Sequence, residues 1–151
     1  MWTFAAALPL LFVSAHASVQ SIAVPEVIKP GDAVDMTIVN NDSPGQYDIA
    51  MVIGFDPGSQ LQRNNIGIDQ AYIALTDIPN GPFNKSITIN PLIAPGPGTL
   101  RAGIFSMYGG LRQLDVWVYD VNITIGETTS TKYIEGSSFH IDCLIGQGCH
   151  E

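Results

Sequence analysis

The sequence is short of the groups from which most active sites are built. Among 151 residues there are six Lys and Arg together, three His and two Cys. Six cations against fourteen Asp and Glu, a formal net charge of −8, cannot form a phosphate-neutralising face. Neither nucleic acid nor anionic lipid is therefore an expected partner. Past the N-terminal segment no apolar run is long enough to cross a bilayer as a helix. The stretch after Cys143 is short and polar and lacks the hydrophobic tail of a lipid-anchor signal. No membrane insertion is expected. Catalytic signatures are also missing. Gly136-Ser137-Ser138 lacks the flanks of a nucleophile elbow, and no phosphate-cradling Gly loop or His-Glu metal helix occurs. Asp115 and Asp120 stand five residues apart on one alternating run and so point to opposite faces. Paired carboxylates from distant strands stay open, as in glycoside hydrolysis. With so few His and Cys, little remains for a catalytic triad. The expectation is a protein that is not an enzyme and takes no cofactor.

What is present is a globular composition, 46% hydrophobic and 13% charged. Ala5 to Val13 is a short apolar run that ends at Ala15-His16-Ala17, a small-x-small peptidase site. Residues 1–17 read as a cleavable signal peptide and the protein as secreted. Cleavage after Ala15 would instead expose His16 as an N-terminal histidine. That group chelates copper in oxidative polysaccharide-cleaving enzymes, but its helpers would have to be His140 or His150, neither in ligand-like spacing. In an oxidising compartment Cys143 and Cys149 are expected to pair across Leu-Ile-Gly-Gln-Gly. Such a short loop is worth roughly 2 kcal/mol and staples the C-terminal tail, not the core. Three sequons, at Asn41, Asn84 and Asn122, agree with export. Pro44 directly after Ser43 makes Asn41 the poorest acceptor, and Asn84 is the strongest.

Apolar residues alternate with period two in run after run. The runs are Val19–Val24, Val34–Ile38, Tyr47–Phe55, Tyr72–Leu75, Ser86–Ile89, Thr99–Met107 and Leu114–Ile125. Breakers such as Lys29-Pro-Gly-Asp32, Asp56-Pro-Gly58 and Ala94-Pro-Gly-Pro-Gly98 separate them. Asp32 and Asp56 beside Pro or Gly read as turn residues. A single helical turn near Leu61 is the most helix the pattern allows. The predicted fold is all-β: a seven-stranded antiparallel immunoglobulin-like β-sandwich over 18–134, with residues 135–151 a loosely packed tail carrying the disulfide loop. Trp117 is expected in the core or an adjacent groove.

Val24-Pro-Glu-Val-Ile-Lys-Pro-Gly-Asp32, Tyr47-Asp-Ile-Ala-Met-Val-Ile-Gly54, Gly103-Ile-Phe-Ser-Met-Tyr-Gly109 and Asn122-Ile-Thr-Ile-Gly-Glu-Thr-Thr-Ser130 resemble the necrosis-inducing secreted protein family of fungal effectors. The likeness runs from about Ile22 to Thr131. Phe105–Gly109 and Gly126–Ser130 are its most distinctive pieces. The resemblance implies a virulence factor that enters host plant cells and reaches their cytoplasm. It also implies binding and inhibition of immune kinases: a membrane co-receptor kinase and a receptor-like cytoplasmic kinase. Pattern-triggered immunity is thereby blunted, and some members provoke cell death. No binding residues carry over.

From the residues themselves, the loop Met107-Tyr-Gly-Gly-Leu-Arg112 joins two strong strands and offers Tyr108, Leu111 and Arg112 as contact anchors for a monomeric binder. The alternative reading is an extracellular carbohydrate-binding or cell-wall-associated β-sandwich, which would display aromatics together on one sheet face.

Overall fold

The computed structural model describes residues 17–58, 65–76, 78–111, 113–144 and 148–150. The signal-peptide expectation therefore lies outside the described residues, except for Ala17, which opens the first strand. The helical turn near Leu61 lies outside them as well.

Every described element is a strand. In chain order they are β1 (Ala17–Pro25), β2 (Val27–Ile28), β3 (Ala33–Asp42), β4 (Gln46–Asp56), β5 (Ile68–Ala74) and β6 (Gly81–Thr88), followed by β7 (Gly96–Tyr108), β8 (Gln113–Ile125), β9 (Tyr133–Glu135), β10 (Ser137–Leu144) and β11 (Gly148–His150). A four-stranded sheet runs β6-β3-β1-β9, and a larger one runs β11-β10-β8-β7-β4-β5, with β2 added parallel to β8. The two-layer all-β expectation holds, and all seven alternating runs are strands. Eleven strands are present among the described residues where the alternation marks seven: β2, β9 and β11 are only two or three residues long, and β10 lies in the segment expected to be a tail.

Beyond residue 134 the chain is not a loose tail. β10 pairs antiparallel with β8 from Ser137↔Asp120 to Ile141↔Val116. The alternation is hard to see there because it is inverted: Ser138 and His140 take the inner positions while Phe139 and Ile141 stand outside.

The core forms where the inward halves of the alternating runs meet. Ile22, Val24, Met36, Ile38, Met51, Ile53, Phe55, Leu100, Ala102, Ile104, Val121 and Ile125 are all buried in one cluster. Removing this much apolar surface from water is the main driving force for the fold.

Two polar devices join the layers. The pairing of β1 with β3 is bulged between Val19 and Ser21, which turns the Val19 backbone toward the larger sheet. There its N–H donates to Asp48 Oδ2 at 2.7 Å, and its carbonyl accepts from the Tyr119 hydroxyl at 2.8 Å. Ser106 Oγ donates to Asp48 Oδ1 at 2.5 Å, and Gln46 Nε2 donates to the same oxygen at 3.2 Å. A buried carboxylate is tolerable because donors surround it.

The second device is a strand that changes sheets. After Pro25 the chain leaves the small sheet, and Val27–Ile28 pairs parallel with Thr124–Ile125. The segment after β8 closes over it. Ser130 N–H donates to the Val27 carbonyl at 2.9 Å, and Val27 N–H donates to Ser130 Oγ at 3.2 Å. Thr129 Oγ1 accepts from Lys29 N–H at 3.1 Å and donates to Asp32 Oδ2 at 2.7 Å. Two of the distinctive sequence stretches, 24–32 and 122–130, are thus each other's partners.

Candidate protein-interaction face

Residues directly opposite in an antiparallel sheet share a face, so the register identifies what the larger sheet shows to solvent. One row across five strands reads Ala74, Ala50, Phe105, Val116, Ile141. The next reads Tyr72, Val52, Gly103, Val118, Phe139. Toward the β7–β8 turn a third reads Tyr47, Met107, Leu114. The outward face of a sandwich sheet normally alternates to polar residues. Here three consecutive rows carry none with a charge.

Part of this face is covered. Arg101 is buried on it and makes a two-point ion pair with Asp120, at 2.7 Å from Nε to Oδ1 and 3.1 Å from Nη2 to Oδ2. Its Nη1 also donates to the Asn65 carbonyl at 2.5 Å. That contact holds residues 65–67 against the sheet. Gly54 and Gly103 lie beneath them for a steric reason. A Cβ on Gly54 would stand 2.4 Å from the Ile66 carbonyl oxygen, and one on Gly103 would stand 2.8 Å from Ile66 Cδ1.

The rest is open. Leu114 is 72% exposed, Tyr72 69% and Phe105 42%, while Met107, Val116, Phe139 and Ile141 are half-buried. The turn at its end adds Leu111, 97% exposed, while Tyr108, the last residue of β7, is exposed on the opposite side of the strand. Gly109 takes a φ of 70°, and its N–H donates to the Gly45 carbonyl at 2.7 Å, tying this turn to the one before β4. A contiguous apolar face with projecting aromatic and aliphatic side chains is the usual mark of a macromolecular docking site.

Of the three anchors expected from sequence, Leu111 stands in the turn at the end of this face, Tyr108 follows Met107 on β7 and so points to the opposite side, and Arg112 lies outside the described residues. Sequence reasoning missed Tyr72, Phe105, Leu114, Phe139 and Ile141. The signal was there in β8, which is apolar at both parities from Val116 to Tyr119, so both faces of that strand carry apolar groups.

The other expected sites fall elsewhere. Asn41, Asn84 and Asn122 are all exposed. The backbone register sets Cys143 opposite Cys149 in the β10–β11 pair, but their side chains lie outside the described residues. Asp115 and Asp120 do face opposite ways. Asp120 joins Arg101 on the outer face. Asp115 lies on the inner side, where its Oδ2 accepts from Trp117 Nε1 at 3.1 Å and its Oδ1 meets His140 Nε2. The Trp117 and His140 rings lie 4.8 Å apart at a 44° tilt, and Trp117 packs against the core. Of the three histidines in the copper reading, His140 is occupied by this contact. His16 and the side chain of His150 lie outside the described residues. Among the described residues no group of three His, Cys, Asp or Glu could hold a metal.

Comparison with known proteins adds a family. The model of the Nis1 family matches residues 15–124. Necrosis-inducing secreted protein 1 of Colletotrichum higginsianum is 30% identical over 133 residues, covering 82% of this chain and 89% of that protein. The protein of the same name from Colletotrichum orbiculare is 28% identical over 144 residues, covering 92% and 88%. Among solved structures, a superoxide reductase (neelaredoxin) from Ignicoccus hospitalis overlaps 74% of this chain and 80% of its own, with 11% identity and a TM-score of 0.44. That overlap is too loose to carry any of its chemistry here.

Proposed function

The chain belongs to the Nis1 family of secreted proteins, and from that premise we propose that it is a fungal effector that inhibits host plant immune kinases by covering their surface, with no catalysis of its own. The targets are a membrane co-receptor kinase and a receptor-like cytoplasmic kinase, reached in the host cytoplasm after uptake. Their inhibition suppresses pattern-triggered immunity, and cell death is a further outcome in the host leaf. The observation that carries the reading is the open part of the larger sheet's outer face, with Phe105, Leu114 and Tyr72 exposed on it and Leu111 exposed in the turn at its end. Docking of two such surfaces needs about 800 Å² from each partner, with a few large side chains supplying most of the energy. A formal net charge of −8 favours a basic partner surface and speeds its encounter. The Cys143–Cys149 disulfide closes the β10–β11 pair and is not part of the docking surface.

The test is a kinase assay. The secreted protein is added to purified kinase domains of the two classes, and autophosphorylation is followed. The wild-type protein slows it, and a Phe105→Asp/Leu114→Asp variant with unchanged circular dichroism does not. Kinase activity untouched by the wild-type protein contradicts the proposal. Tyr72 and Phe105 on one face also suit sugar stacking, so retention of the wild-type protein on chitin or glucan, with no effect on the kinases, would favour a wall-binding role.

A further inference from the structure

We propose that Asn84 is the N-glycosylated position of this protein and that its glycan shields the free edge of the small sheet. β6 is the terminal strand of the order β6-β3-β1-β9, eight residues long and paired only through β3 within its sheet. An edge strand offers its outward row of N–H and C=O groups to any other strand, and natural proteins block such edges. β6 carries two partial blocks, Pro82 near its start, which lacks a donor, and Lys85, which is exposed. Asn84 lies between them and is exposed. It is opposite Thr37 on the outer side of the small sheet, and Thr37 Oγ1 donates to its Oδ1 at 3.0 Å. That contact engages the carboxamide oxygen and not Nδ2, the atom that would carry the sugar. Ser86, the hydroxyl of the sequon, is also exposed, two residues on and therefore on the same face of an extended strand.

The other two sequons are worse placed. Asn122 is exposed as well, and Thr99 Oγ1 donates to its Oδ1 at 3.1 Å, but it lies on β8 inside the larger sheet, flanked by β7 and β2, where a glycan would cover no free edge. Asn41 is followed by Ser43-Pro44, and Pro44 restricts the backbone of the hydroxyl-bearing residue.

The transfer is balanced with one co-reactant of the secretory pathway, a lipid pyrophosphate bearing an oligosaccharide. Nδ2 of Asn84 forms a bond to C1 of the first sugar, the C1–O bond to pyrophosphate breaks, the lipid pyrophosphate leaves, and one amide proton passes to the transferase. A glycan rooted there fills space that a second strand would need, since paired strands approach to about 4.8 Å. It lies on the opposite side of the sandwich from the apolar face and leaves that face clear.

The test uses the full-length chain secreted from a eukaryotic host. Peptide-N-glycosidase treatment in heavy-oxygen water followed by peptide mass spectrometry should mark Asn84. Asn84→Gln and Ser86→Ala should each remove one glycan from the intact mass. An Asn84 peptide that emerges unmodified overturns the site. For the shielding role, light scattering is measured against concentration before and after enzymatic deglycosylation, which leaves Asp at position 84, and for the Asn84→Gln variant, which lacks the glycan without the added charge and should behave as the deglycosylated protein does. The glycosylated protein and the Asn122→Gln variant should remain monomeric, and the deglycosylated protein should self-associate. A deglycosylated protein that stays monomeric at every concentration overturns the shielding.

Discussion

Replacing Tyr119 by Phe should weaken the protein at neutral pH and flatten its alkaline stability profile. The Tyr119 hydroxyl is buried between the sheets and donates to the Val19 carbonyl at 2.8 Å. Its pKa is pushed from 10 up to about 12, first by burial and then by the nearby Asp48 carboxylate. Removing the hydroxyl leaves a buried carbonyl short of its donor, a loss of about 1–2 kcal/mol near pH 8. The pH effect has a definite sign. A folded-state pKa above the unfolded value means that the native state holds the proton more tightly. That contribution is complete below about pH 10 and is lost as pH rises toward about 12. Integrated to about pH 12, a shift of this size removes about 2 kcal/mol from the parent protein. Tyr119→Phe has no such proton to lose. Urea unfolding at both pH values measures the difference: the parent should fall by about 2 kcal/mol more than the variant. An equal alkaline loss in the two proteins would refute the reasoning, because it would place the titrating group elsewhere.

Other perturbations test the remaining parts of the framework. Arg101→Met should cost about 3 kcal/mol in urea unfolding, since it strands the Asp120 carboxylate and removes the donor that holds Asn65. Thr129→Val keeps the shape but loses the bonds to Lys29 N–H and Asp32 Oδ2. It should cost about 1–2 kcal/mol, and it should raise amide exchange at Val27 and Ile28. Gly54→Ala drives a methyl group into the Ile66 carbonyl. It should cost about 1–3 kcal/mol and make residues 65–67 more open to proteolysis, a change that gel-based cleavage rates would report.

Much of the inner architecture can be read from the sequence, because burial imposes a period of two. Val34-Asp-Met36-Thr-Ile38 is a strand with its odd residues outward, and the structure places it so. Asp56 beside Pro57-Gly58 reads as a turn residue, and its Oδ1 does accept from Gly58 N–H at 3.2 Å. Asp32 does more than turn the chain, since it receives Thr129 from nearly a hundred residues away. No local pattern announces such a contact. The same limit hid β2 and β9, which are too short to show a period and form only because β8 and β1 supply their partners. The outer apolar face was hidden differently. Alternation identifies one apolar face per strand, and Phe105 and Leu114 stand on the face that pattern assigns to solvent. Only the lateral register, which sets Phe105 beside Val116 and Ile141, turns scattered residues into a surface.

Side-chain oxidative footprinting of the protein, free and bound to a kinase domain, addresses the docking face most directly. Tyr72, Phe105, Met107 and Leu114 should lose reactivity in the complex. Leu92, which is 90% exposed in the β6–β7 connection, and Tyr133 on the small sheet should keep theirs. Protection of Leu92 or Tyr133 with Phe105 and Leu114 still reactive would place the partner on another surface and contradict the account.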